Sequence, residues 1–121
     1  MRLITTPALA AAVILAGCGG GSDNGSKSSS NAADFAEVKQ IVERRCFACH
    51  SKEPTHEDYV ELDVPAASLY LDDENNILTL KRVIYQRVVE VKDMPLQNAT
   101  GMTQEERDRI ASWYEAGAKN S

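Results

Sequence analysis

Apolar and polar residues alternate along this chain in several distinct regimes. Ala8 to Ala16 form an unbroken apolar run, and Gly19 to Asn31 offer no apolar side chain to bury. Further on, Phe35, Val38, Ile41 and Val42 recur at i, i+3, i+6 and i+7 behind Asp34, a suitable N-cap, and predict a helix over roughly 34–45. From Asn76 onward, Ile77, Leu80, Val83, Ile84, Val88 and Val91 make a second helical stripe, although the β-branched residues between Val88 and Val91 leave a strand open there. The last segment carries the fullest set of signals. Thr103-Gln104-Glu105-Glu106 has the form of a capping box, Ile110, Trp113 and Tyr114 share one face, and Gly117 stands at C′ with Lys119 just beyond. Between His50 and Asn76 the apolar period lapses, and Pro54, Pro65 and Asp72-Asp73-Glu74 mark a long loop, a feature more often functional than slack. An all-α domain of three to four helices is the expectation.

The first apolar run spans nine residues, against about 20 for a bilayer-crossing helix, and follows Arg2, so it reads as a secretory signal. Its end, Leu15-Ala16-Gly17-Cys18, looks like the lipobox of bacterial lipoproteins, in which the cysteine is acylated and becomes the new N-terminus. Residues 1–17 are therefore expected to be a signal peptide and 18–31 a lipidated Cys18 with a Gly/Ser linker of roughly 20 Å reach, leaving a domain at 32–121. Export and a membrane facing the periplasm or cell surface follow. Gly19, with no Asp after Cys18, resembles the outer-membrane type.

Composition narrows the function. The chain has 121 residues, enough for one domain and too few for an enzyme with its own large substrate pocket. Its net charge is −5, which works against nucleic-acid binding and favours partners with a basic docking surface. A monomer is expected.

If Cys18 takes the lipid, Cys46 and Cys49 remain, inside Cys46-Phe47-Ala48-Cys49-His50. This is CxxCH, the attachment signature of c-type haem. Two thiols three residues apart on one helical turn can reach the two vinyl groups of one porphyrin edge, and His50 is then placed as proximal iron ligand. A loop carbonyl near Pro65 is suited to accept a hydrogen bond from the other ring nitrogen of His50. Three other readings of the cysteines stay open. A thiol oxidoreductase would want a βαβ pattern, zinc would want four ligands, and a disulfide across CxxC would close too small a loop to stabilise much.

The sixth ligand would decide the chemistry. Met94 precedes Pro95, so the helix before it must stop and an extended Met can turn its thioether toward iron. Met102 is the first alternative and His56 the second, and a vacant position would allow a haem-based ligand sensor or weak peroxidase.

Taken together, these residues resemble a small mono-haem cytochrome c of the His/Met type. The stretch from Met94 to Arg107 and the Ser-Lys-Glu-Pro-Thr after the haem motif are similar to the cytochrome c domain fused to bacterial membrane-bound urate oxidases. The resemblance covers roughly 46–118. It implies a class I-like fold with crossing N- and C-terminal helices around one covalent haem c, and His50 and Met94 as axial ligands. The chain lacks the multi-helix membrane part, so the oxidase activity is not carried over. What the resemblance implies is a non-enzymatic, lipid-tethered carrier of single electrons between redox proteins.

Overall fold

The computed structural model describes residues 32–120. The expected signal peptide, Cys18 and the expected linker lie outside the described residues. Within them run five α-helices, α1 (Phe35–His50), α2 (Glu57–Val60), α3 (Glu74–Thr79), α4 (Lys81–Tyr85) and α5 (Gln104–Glu115). Short 3-10 turns occupy Ala66–Ser68 and Leu96–Asn98, and a π-helical turn at Gln86–Glu90 continues α4. The described residues contain no strand.

Helix α1 begins where the sequence places it, with Asp34 Oδ1 accepting the Glu37 N–H at 2.8 Å. It buries Phe35, Val38, Ile41 and Val42. It ends at His50, past the expected boundary at Arg45, because neither Gly nor Pro interrupts it before Ser51 turns extended. The apolar stripe ends early because the last turn faces a cavity instead of the core.

Helix α5 has both expected caps. Thr103 Oγ1 accepts the Glu106 N–H at 3.1 Å, and Glu106 Oε2 accepts the Thr103 N–H at 3.0 Å. At the other end Gly117, at φ 103°, lets its N–H reach the Tyr114 carbonyl at 3.0 Å while the Ala118 N–H reaches that of Trp113 at 2.9 Å, a Schellman closure.

These two helices pack together. The Phe35 and Trp113 rings stack with centroids 5.9 Å apart, the Ala33 N–H donates to Ser112 Oγ at 3.1 Å, and Arg109 grips Glu37 through Nε and Nη2 at 2.7 and 2.6 Å. Ile41, Ile77, Ile84, Val88 and Ile110 complete the core between them and the α3–α4 segment.

The second stripe departs from expectation. Ile77, Ile84 and Val88 are buried, but Val83 and Val91 are exposed. Leu80, at φ −91° and ψ 6°, breaks the segment into α3 and α4, and the π turn then changes the residues per turn, so a single 3.6-residue period cannot run through it. Val88 to Glu90 lie in that π turn, which closes the strand alternative. The stretch expected as loop also holds α2, capped by His56 Nδ1, which accepts the Asp58 N–H at 3.3 Å. Five helices, two long and three short, thus stand among the described residues where three to four were expected.

Candidate functional site

The last turn of α1 puts Cys46 and Cys49 at i and i+3, on one side of the helix, with His50 at its end. All three line a cavity of about 390 Å³. Met94, on the segment after the π turn, lines the same cavity, and Leu69, Leu71, Ile84 and Val88 supply apolar wall. The two alternatives to Met94 part company. His56 lines the cavity, whereas Met102 is 4% exposed, belongs to the core and is absent from the lining.

His50 is oriented by the chain that follows it. Its Nδ1 lies 3.1 Å from the Ala66 carbonyl oxygen, one residue from the position anticipated at Pro65. A carbonyl only accepts, so Nδ1 carries the proton and Nε2 keeps its lone pair. Burial lowers the pKa of His50, against the opposing pull of the Ala66 and Leu69 backbone, which keeps the ring neutral and able to ligate a metal. The Leu71 N–H donates to the His50 carbonyl at 2.7 Å, so the loop holds both the ring and the backbone of this residue.

The two thiols are free. Burial, then the neighbouring Cys49 and Glu106, push Cys46 up to about 12, and burial and Asp58 raise Cys49 as well. Thiol redox centres need lowered values, so this environment is the opposite of an oxidoreductase's. Among the described residues no group of three or more His, Cys, Asp and Glu comes together to hold a metal ion. A His nitrogen with a Met sulfur is a donor set of another kind.

The Met94 segment is held to both long helices. Thr100 Oγ1 donates to the Arg45 carbonyl at 2.7 Å, and Arg45 Nη1 donates to the Thr100 carbonyl. Asn98 exchanges hydrogen bonds with Met102, accepting its N–H at 2.9 Å and donating to its carbonyl at 3.1 Å. The Met94 N–H donates to the Arg87 carbonyl at 3.3 Å. Arg107 donates through Nη1 to the carbonyls of Val88 at 2.6 Å and Met94 at 2.9 Å. Sequence reasoning missed Arg107. Its signal was a cation three residues ahead of Ile110 and six ahead of Trp113, on the apolar face of a well-capped helix.

The chain that reaches the cavity wall at Asp58 is acidic. From Glu53 to Leu80 every formally charged side chain is a carboxylate, and His56, Asp58 and Tyr59 in this stretch reach the cavity wall. Exposed Val60, Leu62 and Val64 stand among those carboxylates.

Two thiols on one helical turn, a neutral imidazole with Nε2 free, a thioether from a distant segment and an apolar wall are the donor set and surroundings that a covalent haem needs, so the residues present fit that group. No family model matches the chain, and neither a curated protein nor a solved structure is significantly similar to it.

Proposed function

We propose that the chain is a lipid-tethered electron carrier of the periplasm or cell surface, holding one haem c covalently and acting on no substrate of its own. One observation carries this reading. Cys46, Cys49 and His50 share a single cavity with Met94, which lies 44 residues further along the chain, and the ring of His50 is already turned by Ala66. The Cys18 motif supports the tether.

When bound, haem supplies a one-electron Fe(II)/Fe(III) couple. The chain's own residues do the rest. Cys46 and Cys49 give thioether links that keep the group in a domain too small to enclose it. His50 would offer Nε2 to the iron, its basicity raised by the Nδ1–H bond to Ala66. Met94 would offer a soft sulfur, which favours reduced iron. Leu69, Leu71, Ile84 and Val88 exclude water, which raises the potential further. Electrons arrive from one redox protein and leave to another without any bond being rearranged.

The test is to purify mature protein from a host that attaches c-type haem. Denatured chain should keep its haem in a pyridine haemochrome assay. The folded ferric protein should show a low-spin spectrum with the weak red band of Met-ligated haem. M94L should lose that band and M102L keep it. Bare sulfurs at Cys46 and Cys49 would overturn the proposal. Rapid carbon monoxide binding by the reduced wild type, with no red band, would turn it into a ligand sensor or weak peroxidase.

A further inference from the structure

Arg107 is the one charged residue among the described residues that is buried, at 7% exposed. Burying a guanidinium costs free energy unless its N–H groups find acceptors, so its position is set by what it bonds. The acceptors are two backbone carbonyls from different segments, both on Nη1, one for each of its hydrogens. The first, Val88, lies in the π turn that ends the α4 segment. Lys92, at φ 60°, turns the chain out of the helix there, so last-turn carbonyls need donors from elsewhere. A cation also suits the negative end of a helix dipole. The second acceptor belongs to Met94.

We infer that Arg107 is a positioning residue that keeps Met94 seated in the cavity by fastening its carbonyl to the end of the π turn. The inference rests on the haem reading above. With its N–H on the Arg87 carbonyl and its own carbonyl on Arg107, Met94 is pinned through both flanking peptide groups, and only its side-chain torsions remain to be chosen. A thioether is a weak ligand, so the fraction of time it occupies a metal depends on how far its backbone can retreat. Removing the fork frees the carbonyl side of Met94 and lets it withdraw, while Thr100 and Asn98 still hold the far end of the segment.

The experiment compares haem-loaded wild type, R107Q and R107K, each shown folded by circular dichroism. The readouts are the red charge-transfer band, the affinity of the ferric protein for imidazole, and the rate of carbon monoxide entry into the ferrous protein. R107Q should lose much of the band and bind imidazole about tenfold more tightly, the equivalent of one hydrogen bond to a charged donor. R107K, whose ammonium keeps the charge and has donors for both carbonyls but sits on a shorter stem, should fall between. A residue that merely caps a helix would lower the melting temperature and leave all three readouts unmoved in the folded protein. Band and imidazole affinity within twofold of wild type in R107Q would therefore overturn this inference alone. If R107Q does not fold, the same readouts on R107M, which fills the space without any donor, decide it, and wild-type values there overturn it. Wild type without haem, or with haem but no red band, overturns the reading beneath it as well.

Discussion

The ring of His50 and the carbonyl of Ala66, sixteen residues apart, meet at 3.1 Å, and a strained turn follows Ala66 directly. Ala67 and Ser68 both sit at positive φ, 55° and 54°, where a Cβ crowds the following carbonyl. That strain fixes the direction in which the Ala66 oxygen points. A67G should relieve it and raise stability by about 1 kcal/mol, whereas A67V should lower stability by at least as much and disturb the His50 ring. Urea denaturation of the haem-loaded variants measures both, and a destabilised A67G would refute the role given to this turn.

Glu106 joins the start of α5 to α1 with one carboxylate. It caps the start of α5, accepts from Arg45 Nε at 3.2 and 2.9 Å, and accepts from Arg44 Nη2 at 3.3 Å. Partial burial pushes its pKa up, but the Thr103 N–H and the Arg45 guanidinium outweigh this and hold it below the usual carboxylate range. A folded pKa below the unfolded one makes its stabilisation complete above the ordinary Glu value of about 4.3 and lost as pH falls through the folded value. E106Q should therefore cost stability at pH 7 and little at the acid end of the titration, with a total loss near 2 kcal/mol for E106A. Parallel pH–stability curves for wild type and E106Q would contradict this.

Much of this arrangement is visible in the residues before any coordinates. Phe35, Val38, Ile41 and Val42 mark the buried face of α1 because their burial follows the helical period, and the caps at Asp34, Thr103 and Gly117 are local chemistry that needs no partner to recognise. The Cys46–His50 motif and a carbonyl near Pro65 lead to within one residue of the Ala66 contact. Helix α2 was hidden because four residues are too few to show a period. The break at Leu80 and the π turn were hidden because tertiary packing, not propensity, sets them. Pro95 favours Met94 over Met102 in the sequence, and the fold places the first in the cavity wall and the second in the core. The role of Arg107 depends on two carbonyls far from it in the chain, which no local pattern reveals.

Trp113 ties the C-terminus to the first helix. Its ring is 2% exposed, stacks on Phe35 with an interplanar angle of 22°, and its Nε1–H donates to the Lys119 carbonyl at 3.1 Å. W113A removes a large buried ring and an indole hydrogen bond, and should cost about 3 to 5 kcal/mol, a large share of the stability of so small a domain. A double-mutant cycle with F35L should return a coupling of about 0.5 to 1.5 kcal/mol for the stacked pair. Additive losses would show that the two rings are buried independently.

The acidic stretch from Glu53 to Leu80 carries the prediction about partners. Elsewhere in the described chain Lys and Arg are interspersed with the carboxylates, so negative charge is concentrated in this stretch, which reaches the cavity wall at Asp58 and in which Val60, Leu62 and Val64 are also exposed. A partner with a basic rim and an apolar centre is the complement of that surface. Second-order electron transfer with a lysine-rich small cytochrome should slow as ionic strength rises from about 0.01 to about 0.15 M, over which the screening length shrinks from about 30 to about 8 Å. The E61K/D63K pair should flatten that salt dependence and lower the rate at low salt, because it reverses charge on the proposed contact itself. The E43K/D108K pair, on the exposed faces of α1 and α5, makes the same change in net charge without touching that stretch and should alter the rate much less. Equal effects from the two pairs would mean that only the overall charge matters and that docking does not use the acidic stretch.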